Sequence, residues 1–154
     1  MSKKPKFNQI LLITLLHLSG FAFAHNVTDI DPEGLYDLGL AHYEKKQYEK
    51  AISELKVAVE SEPEVAKYHH ILAVSYGREA ENVNWFKAMD YAKKTLLHLE
   101  KANELDPYNL EILDDLMDYY HEAPGFLGGD KEKGDKIQAL IEKLTIENEK
   151  PAKK

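Results

Sequence analysis

The chain has no cysteine. That excludes a disulfide framework, thiol chemistry and a lipid anchor on an N-terminal cysteine, and it leaves export open because disulfides are optional in exported proteins. Basic residues are scarce relative to acids, 20 against 27. A nucleic-acid partner is therefore not expected, since such affinity rests on Lys and Arg contacts to phosphate. Long apolar runs are also missing, with one exception, Ile10 to Ala24, which His17, Ser19 and Gly20 interrupt. That run falls short of the about 20 residues of a comfortable membrane span. Lys3, Lys4 and Lys6 precede it and Ala22-Phe23-Ala24 closes it with a small-x-small pattern. Together these features mark residues 1–24 as a secretory signal and predict a periplasmic or secreted protein. Removing residues 1–24 takes away three lysines and no acid, leaving 17 basic against 27 acidic residues, a net charge of −10. A partner with basic groups is the natural match for such a body.

Catalytic sets are absent as well. Pro124-Gly-Phe-Leu-Gly-Gly-Asp130 is glycine-rich but lacks the Gly-Lys-Ser/Thr ending of a P-loop and a strand before it. No Ser lies on a nucleophile elbow and no His-Glu-x-x-His set occurs. The sequence thus predicts no enzyme, no cofactor and no metal site.

What is present is a helical period. Residues 32 to 63 read as two amphipathic helices with a tight turn at Lys45-Lys46-Gln47. Leu35, Leu38, Gly39, Ala41 and His42 recur on the first; Tyr48, Ala51, Ile52, Leu55, Ala58 and Val59 recur on the second. Gly39, Ala51 and Ala58 are small residues at inward positions, which lets two antiparallel helices approach closely. Asp31 is placed to cap the first helix and Pro32 fits its first turn.

Leu38-Gly39, Tyr43, Tyr48, Ala51, Leu55, Ala58 and Pro63 together resemble the tetratricopeptide repeat, a helix–turn–helix unit of about 34 residues. The resemblance implies an all-α domain of three hairpins in a short right-handed solenoid, spanning residues 32–148 after a lead-in at 25–31 and before a tail at 149–154. The repeats would be 32–65, 66–109 and 110–147. Leu72 falls 34 residues after Leu38, whereas Thr95, Leu99, Ala102 and Pro107 fall 44 after Ala51, Leu55, Ala58 and Pro63. The second repeat therefore carries ten extra residues, read as a backward extension of its second helix to Trp85, with Asn82 or Asn84 as its cap. From Trp85 one apolar stripe runs through Met89, Ala92, Leu96, Leu99 and Ala102. The third repeat carries five extra residues in the loop Ala123 to Asp130. Both insertions fall where hairpins turn, so Phe126 and Leu127 are expected to pack on Trp85, Phe86 or Met89. The last helix, from about Asp130 to Asn148, is expected to turn Ile137, Leu140, Ile141 and Leu144 inward and charge outward. Ala92-Lys93-Lys94, Glu100-Lys101-Ala102, Asp106-Pro107 and Ala123-Pro124-Gly125 with Gly128-Gly129 further resemble a subset of exported bacterial tetratricopeptide proteins, which implies a fold subtype and no activity.

In that family the first helix of each hairpin lines a concave groove. The resemblance assigns to it Tyr36, Leu40, Tyr43 and Glu44; then Lys67, His70, Val74 and Arg78; then Glu111, Asp114, Asp118, His121 and Glu122. The graded surface, aromatic to acidic, suits an extended or helical peptide with an apolar anchor and basic residues at one end. His70, His121 and Asp118 are expected near one another on its inner face. Tyr36, Leu40, Val74, Asp114 and Asp118 stand where a clamp for C-terminal carboxylates would need Lys, Asn or Arg, so that subtype is not expected. The predicted role is a protein-binding module of the cell envelope. Homo-oligomerisation, as a stacking subunit of an envelope complex, is the alternative.

Overall fold

The computed structural model describes residues 31–149. The expected signal at 1–24 and the lead-in up to residue 30 lie outside the described residues. Six α-helices follow in order: α1 Pro32–Glu44, α2 Tyr48–Ser61, α3 Ala66–Ala80, α4 Trp85–Leu105, α5 Leu110–Glu122 and α6 Lys131–Glu149. A short 3-10 turn, Gly125–Leu127, stands between α5 and α6. Among the described residues there is no strand. No helix among them is long and apolar enough to cross a membrane.

Local chemistry sets the helix limits. Lys46 takes a left-handed backbone (φ 58°) and reverses the chain between α1 and α2. The Asn84 side chain accepts from the Lys87 N–H at 3.2 Å and starts α4. Asn109 accepts from the N–H groups of Glu111 and Ile112 and starts α5. Asp130 accepts from the Lys133 N–H at 3.1 Å at the head of α6. These bonds satisfy donors that a helix cannot pair internally. Asp31 occupies the cap position of α1, but its side chain makes no cap bond. Instead it folds over Gly34, where a Cβ would lie 2.6 Å from the Asp31 carboxylate oxygen.

The helices pack as three hairpins, α1/α2, α3/α4 and α5/α6, stacked into a short solenoid. Two apolar clusters hold the stack. Ala51, Ile52 and Leu55 of α2 meet Leu72 and Tyr76 of α3. Ala73 of α3 and Leu99 of α4 meet Leu116 and Tyr120 of α5, with Ile137 of α6 packed on them. Gly39 lets α1 close on α2: a Cβ there would sit 2.6 Å from Leu55 Cγ.

Three expectations need correction. Leu38 does not face inward; it is 47% exposed, whereas Leu72 and Leu116, at the same place in the next two hairpins, are 1% and 2% exposed. Each of those two is covered by the hairpin before it, and among the described residues no hairpin precedes α1. The α4 stripe also stops short. Leu99 and Ala102 are buried, but Trp85 is 63% exposed. With 21 residues against 15 in α3, α4 overshoots its partner by about 9 Å. Finally, the Ala123–Asp130 loop docks further along α4 than its apolar residues suggest. The Tyr119 hydroxyl reaches both the Ala92 and Leu127 carbonyl oxygens, at 2.8 and 2.9 Å. Gly128 lies against Leu96. Phe126, Trp85 and Phe86 all remain largely exposed. The Tyr119 hydroxyl anchors the loop beside a half-buried Leu127, while Phe126 stays in solvent.

Candidate functional site: the concave groove

Inner helices α1, α3 and α5 present side chains at three- and four-residue steps, and these line one face of the stack. A cavity of about 240 Å³ opens there. Tyr43, Val74, Gly77, Arg78 and Glu81 form one side, and Asp115, Asp118, Tyr119 and Glu122 form the other. Of the groove residues expected from sequence, Tyr43, Val74, Arg78, Asp118 and Glu122 are brought together here.

The others divide. Tyr36 and Lys67 belong to a separate cluster at the open end of the groove, where the Lys67 ammonium stands 4.7 Å from the Tyr36 ring centre. Lys67 also pairs with Glu33, and the Tyr68 hydroxyl donates to Glu33 at 2.8 Å. Leu40 is half-buried beside them on α1, and Asp114 is exposed on α5. His70 and His121 do not meet. His70 Nε2 bonds Asp115 at 2.6 Å, tying α3 to α5. His121 Nε2 bonds Asp135 at 3.1 Å, tying α5 to α6. Each imidazole therefore has its own carboxylate, and the anticipated meeting with Asp118 does not form. Among the described residues no group of three or more His, Asp or Glu is placed to hold a metal.

Asp115, Tyr119, Gly77 and Glu81 line the cavity without having been singled out in the sequence. Asp115 was legible, since it completes the stripe Glu111, Asp115, Asp118, Glu122 at helical spacing. Tyr119 was not, because a hydroxyl aimed at two backbone carbonyls leaves no pattern.

Charge in the groove is unbalanced. Arg78 is engaged by the Tyr43 hydroxyl beside it and by Glu81 at 3.5 Å, which favour its charged form. Across the cavity, Asp114, Asp118 and Glu122 form no ion pair within the described residues. The Asp118 carboxyl is raised above its ordinary value, first by partial withdrawal from water and then by the carboxylates of Asp114, Glu122 and Asp115. A cation entering the cavity relieves that repulsion. The side chains that line the cavity present shape and a net negative charge.

No protein-family profile matches the chain. Curated relatives do. Superkiller complex protein 3 of mouse is 32% identical over 90 residues, 56% of this chain and 5% of that protein. Its human counterpart is 34% identical over 89 residues, again 56% of this chain and 5% of the relative. Tetratricopeptide repeat protein 37 of Xenopus laevis is 31% identical over 96 residues, 60% of this chain and 6% of that protein. The likeness is to a tetratricopeptide-repeat protein. The matched stretch covers only about a twentieth of each relative's length, so it supports the repeat architecture of the tetratricopeptide-like solenoid seen here.

Proposed function

We propose that the chain is an exported, non-catalytic binding module that takes a protein segment into the α1/α3/α5 groove, with a Lys or Arg side chain of that segment entering the cavity beside Asp118. One observation carries this reading: an open cavity walled on one side by Asp118 and Glu122, neither paired among the described residues, while the cation in the same cavity, Arg78, is already engaged by Glu81. Tyr43 and Val74 give the segment apolar contact, and the charge steers its approach. The repeat relatives support a protein partner, two of them being named for a complex. The lysine-led apolar run at 1–24 supports export to a bacterial periplasm or beyond.

A selection from a displayed random-peptide library, followed by calorimetric titration of the selected peptides, tests the groove. Peptides with Lys or Arg beside an apolar residue are expected. Asp118→Lys should weaken them at least about ten-fold, the range lost when a charge-assisted contact becomes a repulsion. Binding undiminished by Asp118→Lys and by Tyr43→Ala would sink the groove reading. Fractionation of the host cell tests export, and recovery of the unprocessed chain in the cytoplasm would refute it. A second reading, self-association within an envelope complex, is favoured by the outer face of α1, which no described residue covers at Leu38.

A further inference from the structure

We infer that α1 is the seam of a two-fold homodimer, its outer face covered by the same face of a second copy. The fold shows twice what this face is built for. In α3, the residues 34 positions after Gly34, Leu38, Ala41, His42 and Lys45 are Tyr68, Leu72, Ser75, Tyr76 and Glu79, and all five are buried, Leu72 and Tyr76 against α2 and Tyr68 against Glu33 of α1. In α5 the corresponding Ile112, Leu116 and Tyr120 are buried too. On α1 the same stripe is Gly34, Leu38, Ala41, His42 and Lys45, with Asp31 one turn before it, and Leu38 stands 47% exposed.

Two features select a second copy of α1 as the occupant. The first is self-complementarity. Leu38 is the midpoint of Pro32–Glu44. Turned antiparallel about Leu38, the stripe sets Leu38 against Leu38 of the second copy, Leu35 against its Ala41, Gly34 against its His42, and Asp31 against its Lys45. Leu38 and Leu35 meet apolar partners and Asp31 meets a base, as an isologous contact requires, while His42 stays bonded within its own hairpin to Gln47 at 2.7 Å. Neither Asp31 nor Lys45 forms an ion pair within the described residues, and the Asp31 carboxylate folded over Gly34 already lies on this face. The second feature is the other end of the stack. There α6 exposes Asp135, Gln138 and Glu142. A head-to-tail stack would press these against Leu38, whereas the two-fold pairing leaves them in water. The seam is one helix of about 20 Å, below the size of a permanent interface, so the dimer is concentration-dependent. Tyr36, Leu40 and Tyr43 lie on the groove flank of α1, so the seam and the groove can be occupied together and tested separately.

The test uses the protein in the form its host cell yields. Sedimentation velocity from low micromolar to millimolar concentration should show the mass rising towards twice that of the monomer. Leu38→Arg should weaken the dimer at least about ten-fold with unchanged helicity. Asp31→Lys and Lys45→Asp should each weaken it, and together restore it. Because the chain has no cysteine, Leu38→Cys should form a disulfide-linked dimer under mild oxidation, while Leu97→Cys, at an exposed site on α4, should not. A mass flat across the range overturns the inference. So does a dimer indifferent to Leu38→Arg, or a charge exchange that fails to restore it. A Leu38→Cys thiol shielded from small reagents in the monomer also overturns it, because the chain's own N-terminal residues would then be the cover.

Discussion

Single residues in this fold carry effects of opposite sign that can be separated. His98 illustrates one. His69 Nε2 meets the Pro63 carbonyl oxygen at 2.9 Å and must donate there. Its Nδ1 is then an acceptor, and His98 Nδ1–H donates to it at 2.9 Å. Burial first, then repulsion from the protonated form of His69 and from the Lys94 ammonium, push the His98 imidazole down from 6.5 to about 4. The unfolded chain therefore binds the proton more readily between those values. The stabilisation is complete above about pH 6.5 and is lost as pH falls towards 4. Denaturant midpoints measured at pH 7 and pH 5 should show the loss, and His98→Gln should flatten the slope. Gly39 illustrates another. Alanine is the better helix former by about 1 kcal/mol, yet its Cβ would press on Leu55, which is fully buried. Overpacking costs about 1–3 kcal/mol, so Gly39→Ala should lower the thermal midpoint. A rise would mean that α1 and α2 can move apart freely.

At the scale of elements, the limits of the helices were legible because each is written in local chemistry. Lys45-Lys46-Gln47 is the turn, Asn84 and Asn109 are caps, and α4 begins at Trp85, the residue where its extra turns were placed. What was not legible depends on which neighbour a side chain selects. Nothing in the sequence says that His70 spends its ring nitrogen on Asp115 rather than facing the groove, nor that Leu38 stands half-exposed while Leu72 is buried. The Ala123–Asp130 loop shows why: its apolar residues Phe126 and Leu127 suggested the contact, but the hydroxyl of Tyr119 decides it. Gly128, at φ 96° and against Leu96, completes the dock in a conformation that a side chain would strain. Tyr119→Phe should therefore cost about 1 kcal/mol, the net worth of one such bond. Amide exchange should rise over residues 124–129 while α4 stays protected. Unchanged exchange in the loop would show that apolar contact alone holds it.

At the scale of the whole molecule, α3 is the shared wall. Leu72 and Tyr76 enter one cluster and Ala73 enters the other, and the two clusters have no residue in common. Leu72→Ala and Leu116→Ala should each cost about 2–5 kcal/mol, and their effects should add if the clusters are independent. A coupling energy well above the noise of chemical denaturation would show that α3 transmits strain from one to the other.

That arrangement also fixes how the molecule bears a load. No side chain of either cluster spans from the first hairpin to the third, so tension applied along the stack enters α3 through one cluster and leaves through the other. The two act as links in series, and the assembly is only as strong as the weaker. Stretched from its ends, such a chain should lengthen in separate steps rather than all at once.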